Sequence, residues 1–162
     1  MGFLTSQLSA QSIVYMSRIG EYDHFDKLGN SRLKKAFMGW VFDNELYEDS
    51  TIYEIKWDEL KDTPPQQCRY DICLAAGADC PINETMHRGE IPCGNYAVFC
   101  IENNCMRAES RFWEVFTESL RKSKLEYDET KPILKRYIQK LVFVGRCEFC
   151  VPVQCLREWW EL

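Results

Sequence analysis

Glu148 stands in the otherwise apolar run Cys147–Val153 and is the first residue here that could do chemistry. A carboxylate in mid-strand is costly to bury without a partner. It is either solvated at an edge, paired with a neighbour such as Arg146, or kept for a positively charged ligand. Trp113 lies one residue off an apolar stripe, where an indole face could receive an organic cation. Tyr70, Tyr96, Tyr137 and Phe99 lie on or beside β-rich segments, and Tyr22 follows the first of these. Aromatic walls with polar tips suit amphipathic ligands of drug size. Each of these residues has an ordinary packing role as its alternative. Arg69 and Asp71 flank Tyr70 and alternate to its other side, so ion pairing with neighbours is expected of them. His24 and His87 are isolated. No G-x-S-x-G is present, so a serine triad has no support, while a Cys–His pair stays open.

Nine cysteines form an odd set that cannot pair completely within the chain. The N-terminal MGFLTSQLSAQ lacks a basic start and a long apolar core, so no export signal is expected. A reducing cytoplasmic setting and reduced, mostly buried thiols follow as expectations. Cys147 and Cys150 make a CxxC pair, but on a strand residues i and i+3 point to opposite faces. They cannot chelate one metal together, and no metal is expected. With no P-loop and no G-x-G-x-x-G, no cofactor is expected either.

The chain has 162 residues, 46% hydrophobic and 28% charged, which suits a folded domain rather than a disordered one. Its 20 basic residues against 25 acidic ones give a formal net charge of −5, which argues against direct nucleic-acid binding. No apolar run approaches the roughly 20 residues of a membrane span.

These candidates need elements to position them. Ser12–Ile19 reads as a strand. Leu33, Phe37, Trp40 and Val41 mark a helix over about residues 26–42. Thr51–Trp57 and Arg69–Ala75 read as strands, and 77–94 as a long linking loop. Asn95–Glu102 is a strand, and Phe112, Val115, Phe116 and Leu120 mark a second helix over about 107–123. The segment after Pro132 fits a strand or a short helix, and Cys147–Gln154 closes as a strand. Strand starts near 13, 52 and 70 return near 95, 133 and 148, an offset of about 80 residues. The expectation is a single domain over 1–162, built of half-units at about 8–77 and 93–155 with a tail at 156–162. The fold class is α+β: duplicated strand-helix-strand-strand units with pseudo-twofold symmetry, forming an antiparallel sheet. Both helices should cover one face and leave a ligand cleft on the other. The last strand sends Phe149, Val151 and Val153 to the helix face and Glu148 to the opposite one.

Four segments in order resemble one family. AQSIVYMSRIGEYD (10–23), TPPQQCRYDICLAA (63–76), GEIPCGNYAVFCIE (89–102) and CEFCVPVQ (147–154) are similar to segments of the GyrI-like small-molecule-binding domains. There are departures. Glu21 replaces a common proline, Phe149 and Cys150 stand where isoleucine and tyrosine are common, and RKSKLEY (121–127) replaces a polar stretch. The resemblance implies a cleft between two half-units that binds small molecules. Such domains form the effector-sensing half of multidrug-responsive transcription regulators. They also occur alone, as in the DNA gyrase inhibitory protein. The carboxylate that matches Glu148 faces the ligand in relatives.

The expected function is therefore non-enzymatic capture of amphipathic, cationic aromatic molecules, with Glu148 as the charge and Trp113, Tyr70, Tyr96, Tyr137 and Phe99 as walls. Two alternatives are a gyrase inhibitor acting by protein contact and a hydrolase of reactive polycyclic compounds. Monomer and homodimer both stay open. The acidic loop Asp43–Asp49 and the Trp159–Trp160 tail are equally placed to meet a partner.

Overall fold

The computed structural model describes residues 1–22, 29–58 and 62–156. The strands are β1 (Leu4–Leu8), β2 (Gln11–Ile19), β3 (Thr51–Lys56), β4 (Arg69–Ala75), β5 (His87–Ile91), β6 (Gly94–Glu102), β7 (Leu125–Tyr127), β8 (Leu134–Ile138) and β9 (Arg146–Cys155). The helices are α1 (Gly29–Asp43), α2 (Met106–Lys122) and the short α3 (Gln139–Phe143). His24, the Trp159–Trp160 tail and residues 26–28 of the expected first helix lie outside the described residues.

The strands form one antiparallel sheet in the order β1-β6-β9-β8-β3-β4-β2-β5, with β7 on β9. From the β8–β3 seam outward, the order is β3-β4-β2-β5 on one side and β8-β9-β6-β1 on the other. The inner three strands of each side come from one strand-helix-strand-strand unit, so the duplication expected from the spacing is present. Across the seam, Ile52 faces Tyr137, Tyr53 faces Arg136 and Glu54 faces Lys135.

The sheet has to curl. Leu8 and Gln11 are three residues apart, so their Cα atoms are within about 11 Å. Yet β1 and β2 stand six places apart in the order. In a flat sheet that is about 29 Å, at about 4.8 Å per strand. The short link from β5 to β6 imposes the same bend. The result is a half-barrel, whose inside is filled by Ile13, Tyr53, Ile55, Cys73, Tyr96, Val98, Leu134 and Cys150.

The helices cover the other face. Phe37 and Val41 of α1, four residues apart, bury against Val14, Met16, Ile72 and Leu74. Phe112, Phe116 and Leu120 of α2 repeat the spacing over Ala97, Phe99, Phe149 and Val151. The Phe112 ring stacks on Phe149 at 4.2 Å between centroids and 6° between planes. Cys147 sits in this helix-side cluster and Cys150 inside the curl, on opposite faces as strand geometry requires. Only Cys68, Cys73, Cys147 and Cys150 are buried; Cys93, Cys100 and Cys155 are exposed, contrary to the expectation of mostly buried thiols.

The 77–94 segment is not all loop, because β5 pairs there with β2 from Gln11–Ile91 to Tyr15–His87. The sequence HRGEI hides it, since only Ile91 is buried. After Pro132 the chain forms both expected elements in turn, β8 and then α3. Gly145, at φ +76°, makes the left-handed turn into β9 that a glycine adopts freely. No described helix is long and apolar enough to cross a membrane.

Candidate ligand-binding cleft

Above the β3–β8 seam, between α1 and α2, lie two adjoining cavities of about 510 Å³ each. Both are lined by Glu54, Lys56, Glu109 and Lys135, so they are two lobes of one cleft. The polar lobe adds Asn30, Ser31 and Lys34 of α1, Tyr70, Tyr137, the loop residues Asn103, Asn104 and Cys105, and Met106 at the start of α2. The apolar lobe adds Tyr22, Asp58, Trp113, Tyr127, Ile133 and Phe149. Strand alternation explains the shared floor. Glu54, Lys56, Lys135 and Tyr137 all fall on the helix face of the two seam strands, where neither helix reaches the centre.

Glu54 is the best-connected group in the cleft. The Tyr70 hydroxyl donates to its Oε1 at 2.7 Å, and the Tyr137 hydroxyl donates to its Oε2. Lys34 Nζ lies 3.5 Å from Oε2. Burial opposes the charge, but Lys34, the two hydroxyls and Lys135 outweigh it and hold the carboxyl below the usual carboxylate range. The same geometry pushes Tyr137 far above the usual phenol range, through burial and then the Glu54 charge. Tyr137 is therefore a fixed donor and Glu54 a fixed anion at neutral pH.

The other cleft lysines are held differently. Lys135 Nζ is bonded to Glu109 at 3.2 Å, and Lys56 Nζ sits 5.4 Å from the Tyr22 ring centre. Tyr22 closes one side of the apolar lobe, its hydroxyl donating to the Arg69 carbonyl at 2.9 Å. Trp113 is 48% exposed at the wall of that lobe, edge-on to Phe149 at 5.4 Å. Aromatic surface, a fixed anion and mixed charge thus converge on one opening. Among the described residues no group of three His, Cys, Asp or Glu side chains is placed to hold a metal.

Residues 6–153 match the family described as the GyrI-like small molecule binding domain. The chain belongs to the GyrI-like family. A relative, YosT of Bacillus subtilis (strain 168), an SPbeta prophage-derived protein named provisionally as a transcriptional regulator, is 29% identical. That match covers 95% of this chain and all of YosT. Among solved structures, SAV2435 bound to tetraphenylphosphonium matches with a TM-score of 0.61 at 14% identity, over 95% of this chain and 94% of that one. The C-terminal domain of EcmrR matches with a TM-score of 0.64 at 9% identity, over 96% and 99%. These two likenesses establish the GyrI-like fold.

Within this GyrI-like fold the six candidate residues separate. Trp113, Tyr70 and Tyr137 line the cleft, and so does Tyr22. Phe99 is fully buried beneath α2, edge-on to Phe112 at 5.2 Å, and serves packing. Tyr96 lies inside the curl, 2% exposed. Glu148 also faces away from the cleft, where Arg136 Nε donates to its Oε1 at 2.9 Å. These two lobes lie on the helix face, whereas the expectation put the cleft on the opposite face, which carries a smaller cavity of about 150 Å³ lined by Tyr53, Tyr96, Leu134 and Arg136. That face rolls inward and fills with its own side chains, while the two helices stand apart over the seam. Arg69 and Asp71 pair with each other at 2.8 Å, and Trp57 Nε1 also donates to Asp71.

Glu54 was missed, though its signal is the one that drew attention to Glu148. It is a lone carboxylate in mid-strand, between Tyr53 and Ile55 in TIYEIK. Lys34, Lys135 and Glu109 carry no local signal, because only the fold brings them together.

Proposed function

We propose that this GyrI-like chain captures amphipathic organic cations, with the charge against Glu54 and the aromatic rings in the lobe walled by Trp113, Phe149 and Tyr22. The observation that carries this reading is the Glu54 carboxylate, kept ionised by Lys34 and two tyrosine hydroxyls where the polar and apolar lobes meet. A unit charge about 4 Å from a carboxylate gains about 4 kcal/mol at an effective dielectric near 20, before desolvation. A cation over an indole gains about 0.5–2 kcal/mol. The carboxylate therefore decides charge selectivity and the rings decide shape. The tetraphenylphosphonium named with SAV2435 has this chemistry and is the natural probe.

Isothermal titration with tetraphenylphosphonium and with neutral triphenylphosphine oxide tests the reading. Glu54→Gln should weaken the cation about ten-fold or more, a loss of at least ~1.4 kcal/mol, and the neutral compound less than two-fold. The probe should be recovered chemically unchanged. Equal losses for both compounds would refute the charge role of Glu54.

A further inference from the structure

We propose that Lys34 is a built-in competitor for the cation subsite: in the empty cleft its ammonium occupies the place an organic cation takes. The proposal rests on the capture reading and concerns how that site is regulated. Lys34 Nζ lies 3.5 Å from Glu54 Oε2 and 4.7 Å from the centre of the Tyr137 ring. A carboxylate with an adjacent aromatic face is what an organic cation requires, so the chain already satisfies its own site.

The three cleft lysines are not equivalent. Lys135 is held by Glu109, and Lys56 rests over Tyr22. Among the described residues, Lys34 alone of the three is within ion-pair distance of Glu54. Its side chain is 39% exposed on α1, against 17% for Glu54. A displaced Lys34 can therefore swing its flexible stem into water without stranding a buried charge. A bulky cation and this ammonium cannot share the space between Glu54 and Tyr137.

The exchange works as a filter. An incoming cation must replace an ion pair and a ring contact that the protein already makes. A cation carrying rings gains further contact with Trp113 and Phe149 and completes the exchange. A small hydrated cation gains nothing in the apolar lobe and leaves Lys34 in place. Lys34 thus sets the boundary between lipophilic and simple cations.

Titration of tetraphenylphosphonium, tetramethylammonium and triphenylphosphine oxide into wild type, Lys34→Met, Lys34→Arg and Lys35→Met, the last at an exposed α1 lysine outside the cleft lining, tests this. Lys34→Met should bind tetraphenylphosphonium roughly three- to ten-fold more tightly. It should gain measurable tetramethylammonium binding and should not bind the phosphine oxide more tightly. Lys34→Arg should behave as wild type, and Lys35→Met should change the phosphonium affinity less than two-fold. Lys34→Gln supplies the same reading if the methionine variant does not fold. Unchanged or weaker phosphonium binding by folded Lys34→Met overturns the competitor role alone. An equal gain in Lys35→Met also overturns it, because it marks a general charge effect. If neither wild type nor Lys34→Met binds tetraphenylphosphonium, the capture reading falls and takes this proposal with it.

Discussion

Glu54 and Lys135 face each other directly across the seam between the two half-units, yet they do not share the short ion pair their register invites. Lys135 turns to Glu109 of α2 at 3.2 Å. Glu54 is left to Tyr70, Tyr137 and Lys34. The seam therefore presents a carboxylate whose partners are mostly neutral donors, and one whose single short ion pair is with a half-exposed lysine.

The acid limb of binding follows from that environment. Burial is outweighed by Lys34 and the tyrosine hydroxyls, so the folded carboxyl titrates below its unfolded value of about 4.3. A depressed pKa means that the stabilisation is complete above the unfolded value and is lost as pH falls through the folded one. Phosphonium binding should hold from neutral pH down to the carboxylate range and then fall. Tyr137→Phe removes one donor and should move that fall to higher pH, as read by titrations between pH 6 and 3. An unmoved limb would remove Tyr137 from the account.

Adjacent residues on α2 should separate stability from binding. Phe112 is fully buried and stacked on Phe149, so Phe112→Ala should cost about 3–5 kcal/mol in denaturant unfolding. Trp113 is half exposed, so Trp113→Ala should cost about 1 kcal/mol or less in stability. The same change should weaken tetraphenylphosphonium roughly five-fold by removing an indole wall.

Glu148 should behave in the opposite way. It and Arg136 are 14% and 15% exposed and bonded at 2.9 Å, on the face away from the cleft. Glu148→Gln leaves Arg136 poorly partnered and should cost about 1–3 kcal/mol. Phosphonium affinity should stay within two-fold of wild type. A selective loss of cation binding in this variant would return Glu148 to the site.

High pH should loosen the cleft wall. Burial, ahead of all other causes, pushes the Tyr22 phenol up to about 12. A raised pKa means that the stabilisation is complete below the unfolded value near 10 and is lost as pH rises through the folded one. Melting temperature should drop between about pH 10 and 12, by an amount worth about 2 kcal/mol for this group. Tyr53, Tyr96 and Tyr137 are shifted the same way, so Tyr22→Phe should reduce the drop without abolishing it.

The helices and the inner strands were legible because their apolar periodicity answers to burial on one face: Phe37 and Val41, Phe112 and Phe116, Phe149 and Val151. β1 and β5 were not, since LTSQL and HRGEI are edge strands held mainly by backbone pairing. Of the expected aromatics, Trp113, Tyr70 and Tyr137 line the cleft. Glu54 was not singled out, because a lone carboxylate in a strand does not show which face carries a cavity. Choosing Glu54 over Glu148 requires knowing which side of the sheet rolls inward, and that depends on the β1–β2 and β5–β6 links. Phe99 and Tyr96 lie in the core clusters rather than the cleft, which the sequence does not show, since an aromatic on a strand does not announce what covers it.

The two outer strands also bear on the order of assembly during synthesis. Residues 11–91 hold β2, α1, β3, β4 and β5, a contiguous stretch that pairs with itself. The other half has to reach back across the whole chain for its outer strand, because Leu4 pairs with Val98 and Leu8 with Gly94. Strand β1 leaves the ribosome before β2 and has nowhere to dock until β6 has been made. An early strand is thus among the last to settle, and the half-barrel closes on that side only after β6 has been made.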